Sequence, residues 1–495
     1  MKPLVLGCAA AFLLLPANAE GASGGGRWSQ PAILSACPGT GAPHVVFPED
    51  SPTHGTGPGA IVWSVTAPCP TGAGALLAPI SAEDLPGQPA APHTAAGATI
   101  ALRGPVAATG GPHGHIVIAG ASAGEPDPGA VLEAGGKGTT AAGPGIRGKG
   151  TPKGGRGRGT REGELLLTEG SAGGPFAAPL ALGGPASTFS FATAYLGDAA
   201  LASLADPHGN TDVQLRVQRF YASAFAPPAR VSATGGGGNV GTGSIAALTV
   251  ALDFRSDGLV VFSRQGSLLA RELPGKGAPH ASQRLGPSPP AGARIAAVLS
   301  DDDRAIVAWT VRHGGQTSVY LSHSQPGVRF TEPQLLEEFP DPPGLPGYVD
   351  SPQLIRLSSE SVMLAWTGAL AGHWAIRAAA IDQRGVLPPS TISPAGRDAL
   401  LAGLAAGPND EALALWSEPQ PTAAGLDLGE QTIFAARGFD GYPEQVKFAG
   451  PELIAPLGPN SDATVAFDPD SDRAVAAWRT GDGALAYAIR APGAP

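Results

Sequence analysis

Two histidines near residue 113 are the first candidates for chemistry in this sequence. His113 and His115 are two positions apart at the start of a predicted strand, so their side chains point to one face and could ligate one metal ion. His44, His54 and His93 lie in the same N-terminal region. No HExxH, CxxC or carboxylate triad accompanies them, so solvated turn histidines are favoured over a metal site. His113 and His115 are the weak candidates for a metal site, and we expect no cofactor.

A second candidate is the glycine-rich segment 134–163, which could contact a polyanion such as a cell-wall phosphate or an acidic polysaccharide. Its cations are Lys137, Arg147, Lys149, Lys153, Arg156, Arg158 and Arg161. The segment has no aliphatic pattern with which to bury surface, so we predict a disordered insertion, and a solvated loop is favoured over a binding role. No aromatic residue is interleaved to stack on bases, and the chain carries a net charge of −10, so nucleic acid is disfavoured as a partner.

Carboxylates and nucleophiles suggest no catalytic site. The acidic turns at Asp301 to Asp303 and at Asp468, Asp470 and Asp472 are rich in aspartate but lack the glycine and the bidentate twelfth ligand of a calcium loop. Hairpin turn chemistry explains them. A glycosidase needs two carboxylates, and the sequence does not single out a pair among its 41 acids. The sequence therefore assigns no catalytic residue, and any such residues stay unknown at this point.

Large aromatic residues recur at equivalent places in short apolar runs such as AIVAWT at 305–310 and VMLAWT at 362–367. These anchors are Trp63, Phe262, Trp309, Trp366, Trp416 and Trp478. They could be platforms for stacking sugars, but the runs that hold them are apolar on both faces. That pattern favours packing between two neighbouring sheets.

The elements that position these anchors form a repeat of about 50 residues. Each apolar run follows another across a turn rich in Asp, Ser and Gly, which indicates a hairpin. A third β-branched or aromatic run follows, and then a Phe-x-x-Pro pattern such as Phe330 and Pro333, which is typical of an edge strand. Four antiparallel strands repeated in this way predict an all-β fold, a β-propeller. We count eight blades, with seven blades plus an N-terminal appendage as the alternative.

The last repeat lacks its fourth strand, and a spare copy of that strand lies near the N-terminus. Trp28, Pro31 and Leu34 reproduce the spacing of Phe330, Pro333 and the aliphatic residue that follows. We predict that this segment completes the last blade and closes the ring, which would remove an exposed sheet edge. Coincidence in a proline-rich chain is the alternative.

The N-terminus has the pattern of a secretory signal peptide over residues 1–19, with a propeller domain over 20–495. A lipoprotein signal at Cys8 is disfavoured, because too little apolar sequence precedes it. After cleavage only Cys37 and Cys69 remain, and export favours a disulfide over two free thiols. No other apolar run is long enough to cross a bilayer. We expect a secreted or cell-envelope monomer.

The hydrophobic hairpin ending in Trp, followed by Phe-x-x-Pro, resembles the repeat of sialidase-like and related secreted bacterial propellers. The family's Asp-box is absent, and its substrate-binding arginines and Tyr/Glu pair have no counterpart here, so no catalytic residue is transferred. The leading hypothesis is a non-catalytic propeller that binds an extracellular glycan, a cell-wall polymer or a protein, or that presents a surface. The alternatives are a polysaccharide hydrolase or lyase with carboxylates lining the channel, and a structural protein of the cell envelope.

Overall fold

The computed structural model is all-β over the part of the chain that it describes. Its described residues are 27–48, 58–66, 69, 74–80, 86–110, 115–122, 164–185, 189–193, 199–205, 212–218, 229–230, 248–253, 257–264, 267–273, 280–287, 295–300, 304–324, 329–342, 345, 352–357, 361–408, 410–439, 447–468, 471 and 473–492. The predicted signal peptide, the basic insertion with its seven cations, His54 and His113 lie outside these ranges. Among the described residues, no helix is long and apolar enough to span a membrane.

The described strands form eight antiparallel sheets, numbered here in chain order. Strand β1 is Ala32–Ser35. Sheet 1 contains β2 (Gly39–Val46), β3 (Gly59–Val65) and β4 (Gly74–Ile80). Sheet 2 contains β5 (Leu102–Gly110), β6 (His115–Ser122), β7 (Glu164–Ser171) and β8 (Leu180–Pro185). Sheet 3 contains β9 (Phe189–Thr193), β10 (Ala199–Ala205), β11 (Asp212–Gln218) and β12 (Ala229–Arg230). Sheet 4 contains β13 (Leu248–Leu252), β14 (Gly258–Arg264), β15 (Ser267–Leu273) and β16 (Gln283–Pro287).

The second half of the chain repeats this order. Sheet 5 contains β17 (Ile295–Leu299), β18 (Ala305–His313), β19 (Gln316–His323) and β20 (Gln334–Pro340). Sheet 6 contains β21 (Gln353–Arg356), β22 (Val362–Leu370), β23 (His373–Asp382), β24 (Gly385–Val386) and β25 (Ser390–Thr391). Sheet 7 contains β26 (Leu400–Ala406), β27 (Glu411–Thr422), β28 (Gly425–Phe439), β29 (Lys447–Phe448) and β30 (Glu452–Gly458). Sheet 8 contains β31 (Ser461–Phe467), β32 (Ala474–Arg479), β33 (Leu485–Arg490) and, from the other end of the chain, β1.

The hydrophobic core consists of layers between sheets. Eight clusters of buried side chains each combine residues from two consecutive sheets, one of them joins sheet 8 to sheet 1, and the layer between sheets 5 and 6 also includes Leu400 of sheet 7. The first strand of each sheet contacts the first strand of the next, and β31 contacts β2. The second strands are therefore covered on both faces, which explains why β3 and β32 are buried along their whole length.

The predicted aromatic anchors all lie in these second strands, and their side chains are at most 1% exposed. Three of them donate an indole N–H to a polar side chain. Trp366 Nε1 donates to Glu337 Oε2 at 2.6 Å, Trp416 Nε1 to Glu418 Oε1 at 3.3 Å, and Trp478 Nε1 to Asn460 Oδ1 at 3.1 Å. Burial raises the pKa of Glu337, while the bond from Trp366 acts in the opposite direction.

The N-terminal segment pairs with the last sheet, as its sequence pattern predicts. Strand β1 runs antiparallel to β33, with Ala32 opposite Tyr487. Ser29 N donates to Ile489 O at 2.7 Å, and Ile489 N donates back to Ser29 Oγ at 3.0 Å. Trp28 packs against the core layer between sheets 7 and 8. Sheet 8 thus obtains its fourth strand from residues that precede sheet 1.

The predicted disulfide is confirmed. Cys37 and Cys69 are bonded, with their Cα atoms 5.5 Å apart. Cys37 lies in the short link that leads from β1 in sheet 8 to β2 in sheet 1, and Cys69 lies between β3 and β4. The bond therefore ties the link between the last and first sheets to the body of sheet 1.

Sheet 1 is the least regular sheet, as the weak pattern after AIVWS indicates. It has three strands, and beyond β4 only isolated bridges are formed, from Leu77 to Ala90 and from Ile80 to Pro86. Proline cannot donate to a ladder, which is one reason why residues 86–90 do not extend into a full strand.

Candidate functional site

The candidate site is a cavity of about 520 Å³ bounded by the first strands of sheets 6, 7, 8 and 1 and by the β27–β28 hairpin. We call it the bulge cavity, because irregular residues in three of those first strands line it. Its lining residues are Ala42, Gln353, Leu400, Leu401, Ala402, Ser417, Leu428, Gln431, Ile433, Asn460, Ser461, Asp462 and Ala463.

A β-bulge in β31 forms the most polar wall of the cavity. Ser461 pairs with Arg479 and Thr464 pairs with Ala477, so Asp462 and Ala463 together oppose the single residue Trp478. Asp462 has a φ of 49°, in the left-handed region that Asp and Asn tolerate better than most residues. Bulges re-aim side chains beside functional sites, and this one brings Asp462 to the cavity.

Similar irregularities occur in two neighbouring strands. In β26 the register shifts between Leu401 and Gly403, which leaves Ala402 without a ladder partner. In β2 the residues 41–43 lie between the paired residues Thr40 and His44 and oppose Trp63 alone. Gly41 has a φ of 74°. Ala402 and Ala42 line the cavity at these positions. A register shift therefore supplies a lining residue in three walls of the cavity.

Amide side chains hold the outer part of the cavity together. Asn460 donates from Nδ2 to Gln431 O at 2.7 Å and to Pro456 O at 3.0 Å. Gln431 Nε2 donates to Leu428 O, and Gln353 Nε2 donates to Ala402 O at 3.4 Å. Within the described residues, the Oε1 atoms of Gln353 and Gln431 accept no hydrogen bond. They are therefore available to accept one from a ligand.

Asp462 is the one ionisable side chain among the described lining residues, and no hydrogen bond to it is formed in the described part of the chain. Asp462 interacts electrostatically with Arg479: burial lowers the pKa of Arg479, and Asp462 acts in the opposite direction. Arg479 is 2% exposed and donates to the carbonyl oxygens of Gly41 at 3.2 Å, Gly483 at 3.1 Å and Ser64 at 2.8 Å. Its donors are committed to the backbone, so the carboxylate remains free to accept from a ligand.

The β27–β28 hairpin adds an apolar surface at the mouth of the cavity. Leu428 lines the cavity and is 41% exposed. Leu426, two residues earlier on the same strand, packs against the layer between sheets 5 and 6 that contains Trp374 and Leu400. This contact holds the hairpin over the cavity.

The metal candidates do not meet at this site. His115 lies at the start of β6, where its Nδ1 is 2.9 Å from Glu169 Oε1, and this bond raises the pKa of His115. His44 Nε2 is 2.7 Å from Val106 O, and burial lowers the pKa of His44. Across the described residues, no three His, Cys, Asp or Glu side chains are grouped as metal ligands. The hypothesis that His113 and His115 bind a metal stays untested, since His113 is outside the described ranges.

The acidic turns have structural contacts where they are described. Asp468 Oδ2 accepts from Arg473 Nη2 at 2.6 Å, and Arg473 lies over the ring of Phe47 in sheet 1 at 5.9 Å. This pair therefore connects the last sheet to the first. Asp470, Asp472 and the turn at 301–303 lie outside the described ranges.

Sequence reasoning missed two further groups, and neither lines the cavity. His373 Nδ1 lies 3.3 Å from Asp398 Oδ2, and Asp398 Oδ1 accepts from Trp374 N at 2.9 Å. The stretch GASAG at 120–124 has the GxSxG spacing of a hydrolase nucleophile. Ser122, however, is 3% exposed at the end of β6, and the residues that follow it lie outside the described ranges.

Sequence reasoning also missed the bulge cavity itself. The available signal was local: Gly41 and Pro43 within a strand, and the polar run Asn460, Ser461 and Asp462 at the start of one. Such residues interrupt a ladder, but their pairing partners lie elsewhere in the chain. The sequence therefore did not indicate that the three interruptions face one cavity.

Comparisons with known proteins return distant structural likenesses only. No protein-family model and no curated protein matches the sequence, so the sialidase-like resemblance stays a prediction. The chain is similar to an ulvan lyase, a polysaccharide lyase, with a TM-score of 0.45 and 12% identity over 94% of this chain and 96% of that one. It is also similar to an α-L-arabinanase of Penicillium chrysogenum in complex with arabinobiose, with a TM-score of 0.31 and 7% identity over 50% and 93% of the two chains.

A third similar structure is the fucose-recognising lectin of the fungus Aleuria aurantia, a six-bladed β-propeller. Its TM-score is 0.29, with 10% identity over 59% of this chain and 89% of that one. At identities and TM-scores this low, we take neither fold nor function from these likenesses.

Proposed function

We propose that this protein binds a polyhydroxylated ligand, a short stretch of glycan, in the bulge cavity and does not cleave it. The observation that carries the proposal is the chemistry of the lining. Carboxamides at Gln353 and Gln431, hydroxyls at Ser417 and Ser461 and one carboxylate at Asp462 surround an otherwise aliphatic cavity. Concave sites with an apolar wall and a few convergent polar groups are typical of small-ligand binding.

The same lining argues against cleavage. Glycoside hydrolysis uses two carboxylates facing one bond, and Asp462 has no second acid beside it among the described lining residues. Histidine, tyrosine and lysine are also missing from that described lining, so it offers no group with an ordinary pKa suited to general-base work near neutral pH.

We further propose that the eight sheets close into an eight-bladed β-propeller with β1 as its final strand. The support is the circular sequence of contacts, in which each first strand touches the next and β31 touches β2. The core layer between sheets 8 and 1, with Trp63 and Val475, is as complete as the others. The bulge cavity would then lie at the channel, where loops from several blades can reach one ligand.

We propose export of the chain by its N-terminal leader. The support is the Cys37–Cys69 disulfide, which persists in oxidising compartments. An extracellular location would bring the cavity into contact with cell-wall or matrix glycans.

The second candidate function is polysaccharide cleavage. It is favoured by Asp462, a residue with a positive φ that a bulge places in the cavity. Strained backbone of this kind clusters at active sites. A lone carboxylate could act as the base of a β-elimination if the substrate or another chain segment supplied the remaining groups.

A binding assay on a cavity variant tests the main proposal. The mature protein is applied to a glycan array, and the best ligand is titrated calorimetrically against the wild type and Ala402→Phe. The phenyl ring fills the cavity beside the bulge of β26, so we expect the affinity to fall about tenfold or more. Ala406→Phe, at the exposed end of the same strand, is the matched control and should bind normally.

No binding to any glycan, or equal affinity of both variants, would contradict the proposal. Each ligand is also incubated with the wild type and analysed for new reducing ends and for unsaturated products. Ulvan, the polymer after which the lyase described above is named, is also incubated with the wild type. Release of either product by the wild type and not by Asp462→Asn would establish the second candidate instead.

A further inference from the structure

We infer that the bulge cavity selects a glycan that carries a protonated amine, an amino sugar, over one that carries carboxylates or sulfates. This inference rests on the proposed binding function and narrows it to a ligand class. It starts from the charge of the site. Asp462 is the one ionisable group in the described lining, so that lining presents a single negative charge and no cation.

The position of Asp462 makes its carboxylate accessible to a ligand. The residue is exposed and belongs to the bulge opposite Trp478, so its backbone is held by the pairs on either side, Ser461 with Arg479 and Thr464 with Ala477. No described side chain or backbone group donates a hydrogen bond to its carboxylate. An ammonium group has three donors, so it could satisfy this acceptor directly.

The nearby cation does not cancel the effect. The guanidinium of Arg479 is buried and bonds three carbonyl oxygens, those of Gly41, Ser64 and Gly483. Asp462 lines the cavity, whereas Arg479 is not among its described lining residues. Arg479 thereby fixes the strands that form the wall without offering a donor to an acidic ligand.

The neighbouring lining residues suit the rest of such a ligand. The free Oε1 atoms of Gln353 and Gln431 can accept from sugar hydroxyls or from the same ammonium group. Leu428 offers an aliphatic face at the mouth against which the C–H face of a sugar ring can pack. An acidic glycan would instead place its carboxylates beside Asp462, where like charges repel.

Three oligosaccharides of equal length test the inference by isothermal titration calorimetry. The probes are a glucosamine tetramer below the pKa of its amines, its N-acetylated neutral counterpart and a galacturonate tetramer. For the wild type we expect the glucosamine tetramer to bind about two- to fivefold more tightly than the neutral one, the range expected for one exposed ion pair. The galacturonate tetramer should bind most weakly.

The variant Asp462→Asn removes the charge and keeps a residue that tolerates positive φ, so it should fold. We expect it to lose the preference for the amine, so that the glucosamine tetramer and its N-acetylated counterpart bind with equal affinity. Asp410→Asn is the matched control. Asp410 also has a positive φ, 61°, but precedes β27 at the end of the strands away from the cavity, and its substitution should leave the preference intact.

The outcomes separate this inference from the function on which it rests. If the wild type binds the neutral tetramer as tightly as the glucosamine tetramer, or if the preference survives in Asp462→Asn, the inference is wrong and glycan binding stands. If the galacturonate tetramer binds best, the cavity prefers acidic glycans over amino sugars and the inference is wrong. If none of the three probes binds, and the glycan array is also negative, both the inference and the proposed function fail. Added salt should weaken the preference.

Discussion

At the scale of single residues, the repeated tryptophans differ in what their indole nitrogens contact. Trp366 donates to Glu337, whose carboxylate also pairs with Arg377 at 3.3 Å. The Nε1 atoms of Trp63 and Trp309 have no hydrogen-bond partner among the described residues. All three rings are fully buried. Equivalent positions in the repeat therefore share packing but not polar contacts.

This difference predicts unequal costs for the same substitution. Trp366→Phe removes packing and a hydrogen bond to a largely buried carboxylate, whereas Trp63→Phe removes packing alone. We expect the free energy of unfolding to fall by about 1–3 kcal/mol more for Trp366→Phe than for Trp63→Phe. Urea denaturation followed by circular dichroism measures both. Equal losses would mean that the bond to Glu337 contributes nothing net.

At the scale of secondary-structure elements, two features depart from the regular repeat: the bulges, which form the cavity, and the N-terminal strand, which covers a sheet edge. The bulges in β2, β26 and β31 open a cavity where regular ladders, as in β17 and β13, would continue. Strand β1 covers the edge of β33, which would otherwise present unpaired N–H and C=O groups.

Removing that strand should weaken the last sheet. Deletion of residues 20–36 takes away β1, the partly buried Trp28 and Leu34, and the bonds from Ser29 to Ile489. We expect the free energy of unfolding to fall by about 2–3 kcal/mol, because a fully buried apolar side chain contributes about 1.5–3 kcal/mol and the two lost here are partly buried.

The control for this deletion is a chain that lacks only residues 20–26, which leaves β1 in place. Thermal melts of the two shortened proteins and the wild type should order them with the 20–36 deletion lowest. An unchanged melting temperature for that deletion would mean that β1 does not stabilise the last sheet. Greater aggregation of the shorter chain would be consistent with an exposed edge.

At the scale of the whole molecule, several interactions join the last sheet to the first. Arg479 reaches Gly41 and Ser64, Arg473 lies over Phe47, and the Cys37–Cys69 bond holds the connecting link. Trp28 and strand β1 pair with β33 in sheet 8, so segments far apart in the chain stabilise each other there.

The disulfide should therefore matter to global stability. Replacing Cys37 and Cys69 together by Ser releases a loop with a sequence separation of 32, and the chain-entropy model gives a loss of about 3–4 kcal/mol. We expect a lower melting temperature for the double variant. A reducing agent should lower the melting temperature of the wild type to the same level and leave the variant unchanged. A wild type insensitive to reduction would contradict this prediction.

The repeat could be predicted from sequence because its signals are local. The apolar runs around Trp309 and Trp366, the turn residues between them and the proline of each edge strand act through neighbouring positions in the chain. The spacing of Trp28, Pro31 and Leu34 likewise predicted that this segment supplies the missing last strand. The pairing of Cys37 with Cys69 could be predicted because no other cysteine remains after the predicted leader.

The sequence by itself determined the all-β class, the strand order within each sheet, the aromatic anchors and the disulfide, because short-range periodicity and cysteine count fix them. Only the tertiary structure decided where the site lies. Asp462, Ala402 and Ala42 are separated by up to several hundred residues, and each is displaced by a register shift that depends on its partner strand. A bulge is a property of a pair of strands, and a cavity is a property of several such pairs. Neither can be read from one segment of sequence.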